Sequence, residues 1–246
     1  MPQKEKESEV EPKVLFEDAS LFVLDKPSGW IVNEAQTTKG QKVIQEWIGK
    51  FDYPLAKDRE RRSGIVHRLD KETSGILLIA KTREAFEYLQ DQFKQRKVNK
   101  TYLTLVHGRV EPKEGKIEAP VGRLPWRRDR FGVLPGGRES STSYRVVEYR
   151  QRDGQEFSLL EAKPQTGRTH QIRIHLKYLG HPVVSDGFYA GRKTARKDKV
   201  FCPRLFLHAA AIEFTHPQGT NSVFTSALPH DLAQVLDTLE KPRETN

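Results

Sequence analysis

The chain is poor in cysteine and has no long hydrophobic run. Its single cysteine, Cys202, excludes an intrachain disulfide and fits a reducing compartment. The longest uninterrupted aliphatic run, Ile76 to Ala80, is far shorter than the roughly 20 residues that span a bilayer. No apolar signal-peptide core follows Met1. These absences predict a cytoplasmic protein without a membrane segment.

The sequence also lacks the ligand patterns of metal sites. Its eight histidines include no H-x-x-x-H pair, and one cysteine cannot form a thiolate cage. We therefore predict no metal and no His-Asp hydrolase. A glycosidase needs two facing carboxylates, whereas the motifs below offer only Asp70, with Glu72 merely adjacent.

Charge, by contrast, is abundant and unbalanced. The chain carries 42 Lys and Arg against 33 Asp and Glu, a net charge of +9. Its basic residues concentrate in three segments that read as loops: Arg59, Arg61 and Arg62; Arg123, Arg127, Arg128 and Arg130 with Trp126 among them; and Arg192, Lys193, Arg196, Lys197 and Lys199. Any one run is compatible with solvated surface. Together they favour an RNA partner, although they specify no RNA sequence.

The first motif that carries chemistry is H-R-L-D-K-E-T-S-G, from His67 to Gly75. It places Asp70 between basic neighbours, directly before the apolar run that predicts a buried strand. Nearby positive charge keeps a carboxylate ionised, and Thr-Ser-Gly is turn chemistry. A polar turn at the end of a rigid strand is typical of functional sites. A structural Asp that accepts turn amides remains the alternative.

The second motif, K-P-Q-T-G-R-T-H-Q-I-R-I-H-L, runs from Lys163 to Leu176. Thr169 is a candidate N-cap, and Ile172, Leu176 and Leu179 recur at helical spacing. The pattern predicts a helix that ends before Gly180 and Pro182 and that brings His170 close to Arg173. A short strand from Gln171 to Leu176 is the alternative.

In these motifs the chain resembles the RluA-like pseudouridine synthases. That family carries H-R-L-D-x-x-T-S-G, matched from His67 to Gly75, and T-G-R-x-H-Q-[IL]-R, matched from Thr166 to Arg173. Further matches are G-H-P at Gly180 to Pro182, Lys100-Thr101-Tyr102, and weaker echoes at Lys26-Pro27-Ser28-Gly29 and Leu207-His208-Ala209. The matches follow the family order from about residue 14 to about residue 217. The chain also departs from the family pattern. The family often has His where this chain has Asn33, and often has Gly before Asp186, where this chain has Ser185.

The resemblance implies isomerisation of uridine to pseudouridine in structured ribosomal or transfer RNA, without cofactor or metal. It makes Asp70 the catalytic carboxylate and Arg173 its salt-bridge partner. It packs Tyr102 against the target base as the candidate for H5 removal. It inserts Arg68 into the space that the uridine leaves. We expect His67 to pack against or orient the loop rather than to transfer a proton. The predicted RNA contacts are Arg68, His67, Arg168, His170, Gln171, Trp126, Arg127 and Arg128.

Helices mixed with antiparallel strands predict an α+β fold. The resemblance implies a central mixed, mostly antiparallel sheet with flanking helices and a long active-site cleft. We expect a disordered charged arm (1–13), one catalytic domain (14–241) and a short tail (242–246). We expect no S4-type module, which many relatives carry, in the few residues before Val14, and we expect RNA recognition to fall to the catalytic domain. We also expect a monomer that needs no protein partner.

The competing interpretation is a catalytically silent RNA-binding or RNA-folding protein on the same scaffold. Retention of Asp70, Tyr102 and Arg173 together argues against it, because RNA binding alone does not demand an anion in a basic cleft.

Overall fold

The computed structural model describes residues 10–242. They form two compact units that meet in the sequence within one helix, the first comprising residues 10–89 and the second residues 90–242. The first nine residues of the predicted charged arm and the last four of the tail lie outside the described residues.

The first unit contains an antiparallel sheet of three strands in the order β1-β2-β3. They are β1 (Lys13–Glu17), β2 (Leu21–Lys26) and β3 (Ser74–Ala80). Helix α1 (Ile44–Ile48) and the start of α2 (Arg83–Lys94) belong to this unit. The predicted buried strand is confirmed as β3, since every one of its residues is buried. Thr82 caps α2, with its Oγ1 accepting a hydrogen bond from the Ala85 amide.

The second unit contains an antiparallel sheet in the order β11-β10-β4-β9-β8-β5. Its strands are β4 (Asn99–His107), β5 (Glu114–Glu118), β8 (Ser141–Arg152), β9 (Gln155–Pro164), β10 (Leu207–Thr215) and β11 (Asn221–Thr225). A separate hairpin joins β6 (Val121–Leu124) to β7 (Arg127–Val133). The helices are α3 (Gln171–Tyr178), α4 (Arg192–Asp198) and α5 (His230–Asp237). The predicted α+β class is confirmed, and the β8–β9 pair turns at Asp153 and Gly154.

Three local predictions were wrong. The basic segment after Leu124 is the β6–β7 hairpin rather than a loop, because Arg123 stacks on Phe131 and donates to the Arg128 carbonyl across it. The third basic cluster is helix α4, which fits the helix propensity of Lys and Arg. The residue before α3 is His170 in a left-handed conformation (φ 56°), and no Thr169 side chain caps the helix.

In the part of the chain that the structure describes, every helix is too short or too polar to cross a bilayer.

Candidate active site

The loop that carries Asp70 is fixed to the first unit by a neighbouring loop. The Gly29 amide donates to the Lys71 carbonyl at 2.8 Å, and the Ser28 hydroxyl donates to the Glu72 carbonyl at 2.9 Å. Asp70 itself is half-buried, and its carbonyl accepts the Thr73 amide at 3.2 Å, which closes the turn before β3. The carboxylate is therefore held on a tight turn rather than on a free loop.

Lys26 is the centre of this arrangement. Its side chain is fully buried, and its Nζ donates to the carbonyls of Pro27, Trp30 and Lys71 at 2.9, 3.0 and 3.2 Å. A buried ammonium is tolerated when such oxygens surround it. Sequence reasoning treated Lys26 only as a weak family echo. Its burial gives it a positioning role for the Asp70 loop.

His67 and Arg68 differ in their surroundings. The Leu78 amide of β3 donates to His67 Nε2 at 3.0 Å, so this nitrogen acts as an acceptor and ties the loop to the strand. This contact agrees with the predicted orienting role of His67. Arg68, two residues before Asp70, is exposed and available for contact with RNA.

In the second unit, Arg173 lies on α3 and is only 3% exposed. Its Nε and Nη2 donate to the two carboxylate oxygens of Asp186 at 2.7 and 2.9 Å, a bidentate pair. Asp186 is fully buried, and its Oδ1 also accepts the amides of Phe188 and Tyr189. Sequence reasoning did not assign Asp186 a role. Asp70 and Arg173 belong to different units, and their predicted salt bridge stays a prediction.

Tyr102 lies in the interior of β4, where it is paired with Ala209 of β10 and Ala162 of β9. Lys100 precedes it by two residues, so both side chains point to the same face of the sheet. Burial lowers the pKa of Lys100 to about 8. The predicted role of Tyr102 at the target base stays a prediction.

A buried polar network holds the start of α3. The Gln171 amide oxygen accepts from Thr166 Oγ1 and the Arg168 amide, and its nitrogen donates to the Ser141 carbonyl and Thr142 Oγ1. Gln171 is 4% exposed, so its amide is used inside the protein. Arg168 is half-buried, and its Nε lies 3.4 Å from the Glu139 carbonyl. The structure thus places these two predicted RNA contacts where they stabilise the helix that carries Arg173.

His175 continues this network. Its side chain is fully buried between the Thr142 hydroxyl at Nδ1 (2.9 Å) and the Ala119 carbonyl at Nε2 (3.0 Å). A carbonyl only accepts, so Nε2 carries the hydrogen and Nδ1 accepts from Thr142. Burial lowers the pKa of His175. The neutral ring is therefore the form that the fold requires.

This burial predicts a loss of stability in mild acid. An unfolded histidine takes up a proton below about pH 6.5, whereas the folded His175 does so only at lower pH. The stability that the neutral His175 contributes is therefore complete above about pH 6.5 and decreases as the pH falls below it. Between about pH 7.5 and about pH 5.5 we expect His175 to account for a loss of about 1 kcal/mol in the free energy of unfolding. Urea unfolding at both pH values measures the loss.

The control compares His175→Gln with His230→Gln, which removes an exposed histidine. The first variant should flatten the pH dependence, and the second should leave it as in the wild type. Equal pH dependence in all three proteins would contradict the assignment.

The β6–β7 hairpin is anchored beside this helix. Val121 of β6, Ile174 of α3 and Tyr189 form a small core, against which Phe131 and Val133 of β7 pack. His170 Nδ1 lies 2.9 Å from the Tyr189 hydroxyl. At the hairpin tip Trp126 is 71% exposed, and Arg127 and Arg128 beside it are also exposed. An exposed indole next to guanidinium groups is suited to base stacking and phosphate contact.

Comparison with known proteins identifies the class of this chain. Residues 20–178 match the family model described as RNA pseudouridylate synthase, and the chain belongs to this family. It is 34% identical to ribosomal large subunit pseudouridine synthase D of Pseudomonas aeruginosa, over 96% of this chain and 74% of that protein.

Particular relatives agree with this class. An uncharacterized RNA pseudouridine synthase of Chloroflexus aurantiacus is 42% identical over 88% of this chain. Ribosomal large subunit pseudouridine synthase D of Nitrosomonas europaea is 40% identical over 92% of it. The matches span 66% and 65% of those two proteins. Among solved structures, human RNA pseudouridylate synthase domain containing 1 is similar, with a TM-score of 0.66 and 26% identity over 97% of this chain and 100% of that one.

Proposed function

We propose that this chain isomerises specific uridines to pseudouridine in structured RNA, and that its substrate is large-subunit ribosomal RNA. The observation that carries the proposal is the Asp70 loop, fixed by buried Lys26 in a member of the RNA pseudouridylate synthase family. The names of the relatives from Nitrosomonas and Pseudomonas support a ribosomal substrate over transfer RNA.

The reaction breaks the N1–C1′ bond of uridine, turns the uracil and forms a C5–C1′ bond; C5 loses its proton and N1 takes one up. Atoms are only rearranged, so the step needs neither an oxidant nor a phosphate donor. It does need an anion close to the sugar and the base, and we assign this role to the Asp70 carboxylate. The carboxylate acts by attack at C1′, by attack at C6, or by removal of a C2′ proton to form a glycal.

Other residues support the carboxylate. We assign Arg173 as the cation that keeps Asp70 ionised, because a guanidinium offers a second pair of donors after its fork to Asp186. Tyr102 is assigned to the target base and to loss of the C5 proton. A free phenol titrates near ~10, so Tyr102 needs help from its surroundings to act as a base.

An enzyme that acts on a base inside folded RNA must extrude it, at a cost of a few kcal/mol. We assign the contacts that offset this cost to Arg68, which fills the vacated space, and to Trp126, Arg127 and Arg128 of the hairpin. We place His170, Gln171 and Arg168 beneath the RNA surface as positioning residues. A cytoplasmic monomer fits this role.

Pseudouridine mapping tests the proposal. Ribosomal and transfer RNA from cells with and without this protein should differ at one or a few uridines of large-subunit RNA, and the wild-type gene should restore them. Identical maps would contradict the proposal. RNA binding by a wild-type protein that modifies no RNA would instead favour the silent scaffold.

A further inference from the structure

A cavity of about 540 Å³ lies in the first unit, close in sequence to the Asp70 loop. Arg59, Arg62 and Arg68 line it together with Lys39, and Glu34 and Glu46 are its only acidic lining residues within the described chain. We call it the arginine cavity. Its volume falls within the roughly 300–1,000 Å³ of ligand sites, and its lining carries more positive than negative charge.

In the part of the chain that the structure describes, two guanidinium groups of this cavity are not paired with a protein group. Within residues 10–242, the side chains of Arg62 and Arg68 form no hydrogen bond or ion pair. Their neighbour Arg61, in contrast, is paired with Asp58 at 2.8 Å. Arg59 is 80% exposed and lies 3.6 Å from Glu34, a loose contact. Unpaired cations that line one cavity indicate an anionic ligand.

Hydrogen bonds hold the backbone of the turn that contains Arg62. Arg62, Ser63 and Gly64 all have positive φ, at 50°, 52° and 81°, and a non-glycine residue in this region costs roughly 1–3 kcal/mol. The Ser63 amide donates to the Asp58 carbonyl at 2.7 Å, and the Tyr53 hydroxyl donates to the Ser63 carbonyl at 2.9 Å. Such bonds hold the turn against its strain.

Gly64 is required for the same turn. A Cβ on Gly64 would lie 1.9 Å from the Ala80 carbonyl oxygen, the last residue of β3. Only glycine therefore brings the chain this close to the strand. The turn at Gly64 is therefore packed directly against the strand that follows the Asp70 loop, while Arg62 in the same turn is exposed.

The cavity also contains an unsatisfied amide. Asn33 lines it, and its Oδ1 is buried without a hydrogen-bond partner in the described chain. A buried acceptor without a donor costs about 1–3 kcal/mol. The 2′-hydroxyl of a ribose is one such donor, so the lining offers both cations for phosphate and an acceptor for sugar.

We propose that the arginine cavity binds a nucleotide of the RNA strand that carries the target uridine, with its phosphate held by Arg62 and Arg59. Arg68 lines the cavity and precedes Asp70 by two residues. An RNA strand whose uridine reaches Asp70 therefore also runs next to the cavity. The proposal rests on the proposed function and adds a backbone subsite to it.

The test removes two charges from the cavity. The variant R59Q/R62Q is compared with K50Q/K57Q, which removes two exposed lysines of the same unit that do not line the cavity. Affinity for an unmodified large-subunit rRNA transcript is measured between about 0.05 and about 0.2 M salt. Each lost phosphate contact lowers the slope of log K against log salt by about 0.7 to 0.9.

For R59Q/R62Q, which removes the one proposed phosphate contact, we expect the slope to fall by about 0.7 to 0.9 and the affinity to weaken about 5- to 8-fold at about 0.1 M salt. The charge-retaining variant R59K/R62K should stay close to the wild type, which excludes a folding defect. Equal slopes for R59Q/R62Q and K50Q/K57Q would overturn the proposal. The proposal would also be overturned if R59Q/R62Q lost binding to free uridine monophosphate but kept the RNA affinity of the wild type.

The readout is separate from catalysis. If the wild type forms no pseudouridine but R59Q/R62Q still lowers the salt slope, the proposed function is contradicted and the proposed RNA-binding subsite is supported. A wild type that forms pseudouridine with unchanged slopes contradicts the subsite alone.

Discussion

Replacement of Asp70 by Asn is expected to lower the rate of pseudouridine formation by at least about 10³-fold. Asn nearly preserves the shape of the side chain but removes the negative charge, and each of the three chemical routes needs that charge. The loop should stay in place, because the backbone carbonyls of Lys71 and Glu72, which the substitution leaves unchanged, anchor it. Single-turnover assays with excess enzyme measure the rate of the chemical step.

RNA affinity serves as the control for this variant. Asp70→Asn should bind RNA at least as well as the wild type, because it removes an anion from a cationic protein. Glu72→Gln removes the adjacent, exposed carboxylate and should stay active. Full activity of Asp70→Asn, or equal losses in both variants, would show that the catalytic assignment is wrong.

Replacement of Asp186 by Ala is expected to lower the free energy of unfolding by about 3 to 5 kcal/mol. The substitution removes two hydrogen bonds from a guanidinium that is 3% exposed, beside a carboxylate that is 0% exposed. A buried charge that loses its bidentate partner keeps the cost of its desolvation. The amides of Phe188 and Tyr189 lose their acceptor as well. Urea unfolding of both proteins measures the difference.

The second unit contains a matched control. Arg204 and Asp231 form another bidentate pair, but their side chains are 16% and 41% exposed. Water screens this pair, so Asp231→Ala should cost about 1 kcal/mol or less. The loss of unfolding free energy in Asp186→Asn should lie between those of Asp186→Ala and Asp231→Ala, because the amide oxygen of Asn still accepts hydrogen bonds. Equal losses for Asp186→Ala and Asp231→Ala would contradict the stabilising effect that we expect from the burial of the Arg173–Asp186 pair.

The parts of the structure that sequence predicts well are those with a local signal. The strand after the Asp70 loop is an uninterrupted aliphatic run, and such runs are buried on both faces. The helix that carries Arg173 has an apolar repeat at helical spacing, and Gly180 ends it. The family motifs then supply the roles of Asp70, Tyr102 and Arg173, because the residues stand in the family's order.

The parts that sequence misses depend on distant contacts. A lysine is expected at the surface, and the burial of Lys26 follows only once the loops supply its three carbonyls. Asp186 is thirteen residues from Arg173 in the chain, so no local pattern pairs them. The β6–β7 hairpin has no apolar alternation that would predict it. It is stabilised instead by the contacts of Arg123 with the Phe131 ring and the Arg128 carbonyl, which no local pattern shows.

The central claim is that the Asp70 carboxylate of this chain isomerises uridine in RNA. It is tested most directly by release of tritium from C5 of labelled uridine in an unmodified large-subunit rRNA transcript, with purified protein and EDTA as the only additions. We expect the wild type to release tritium up to the number of target uridines per transcript, and Asp70→Asn to release none. No release by the wild type, or equal release by both proteins, would contradict it.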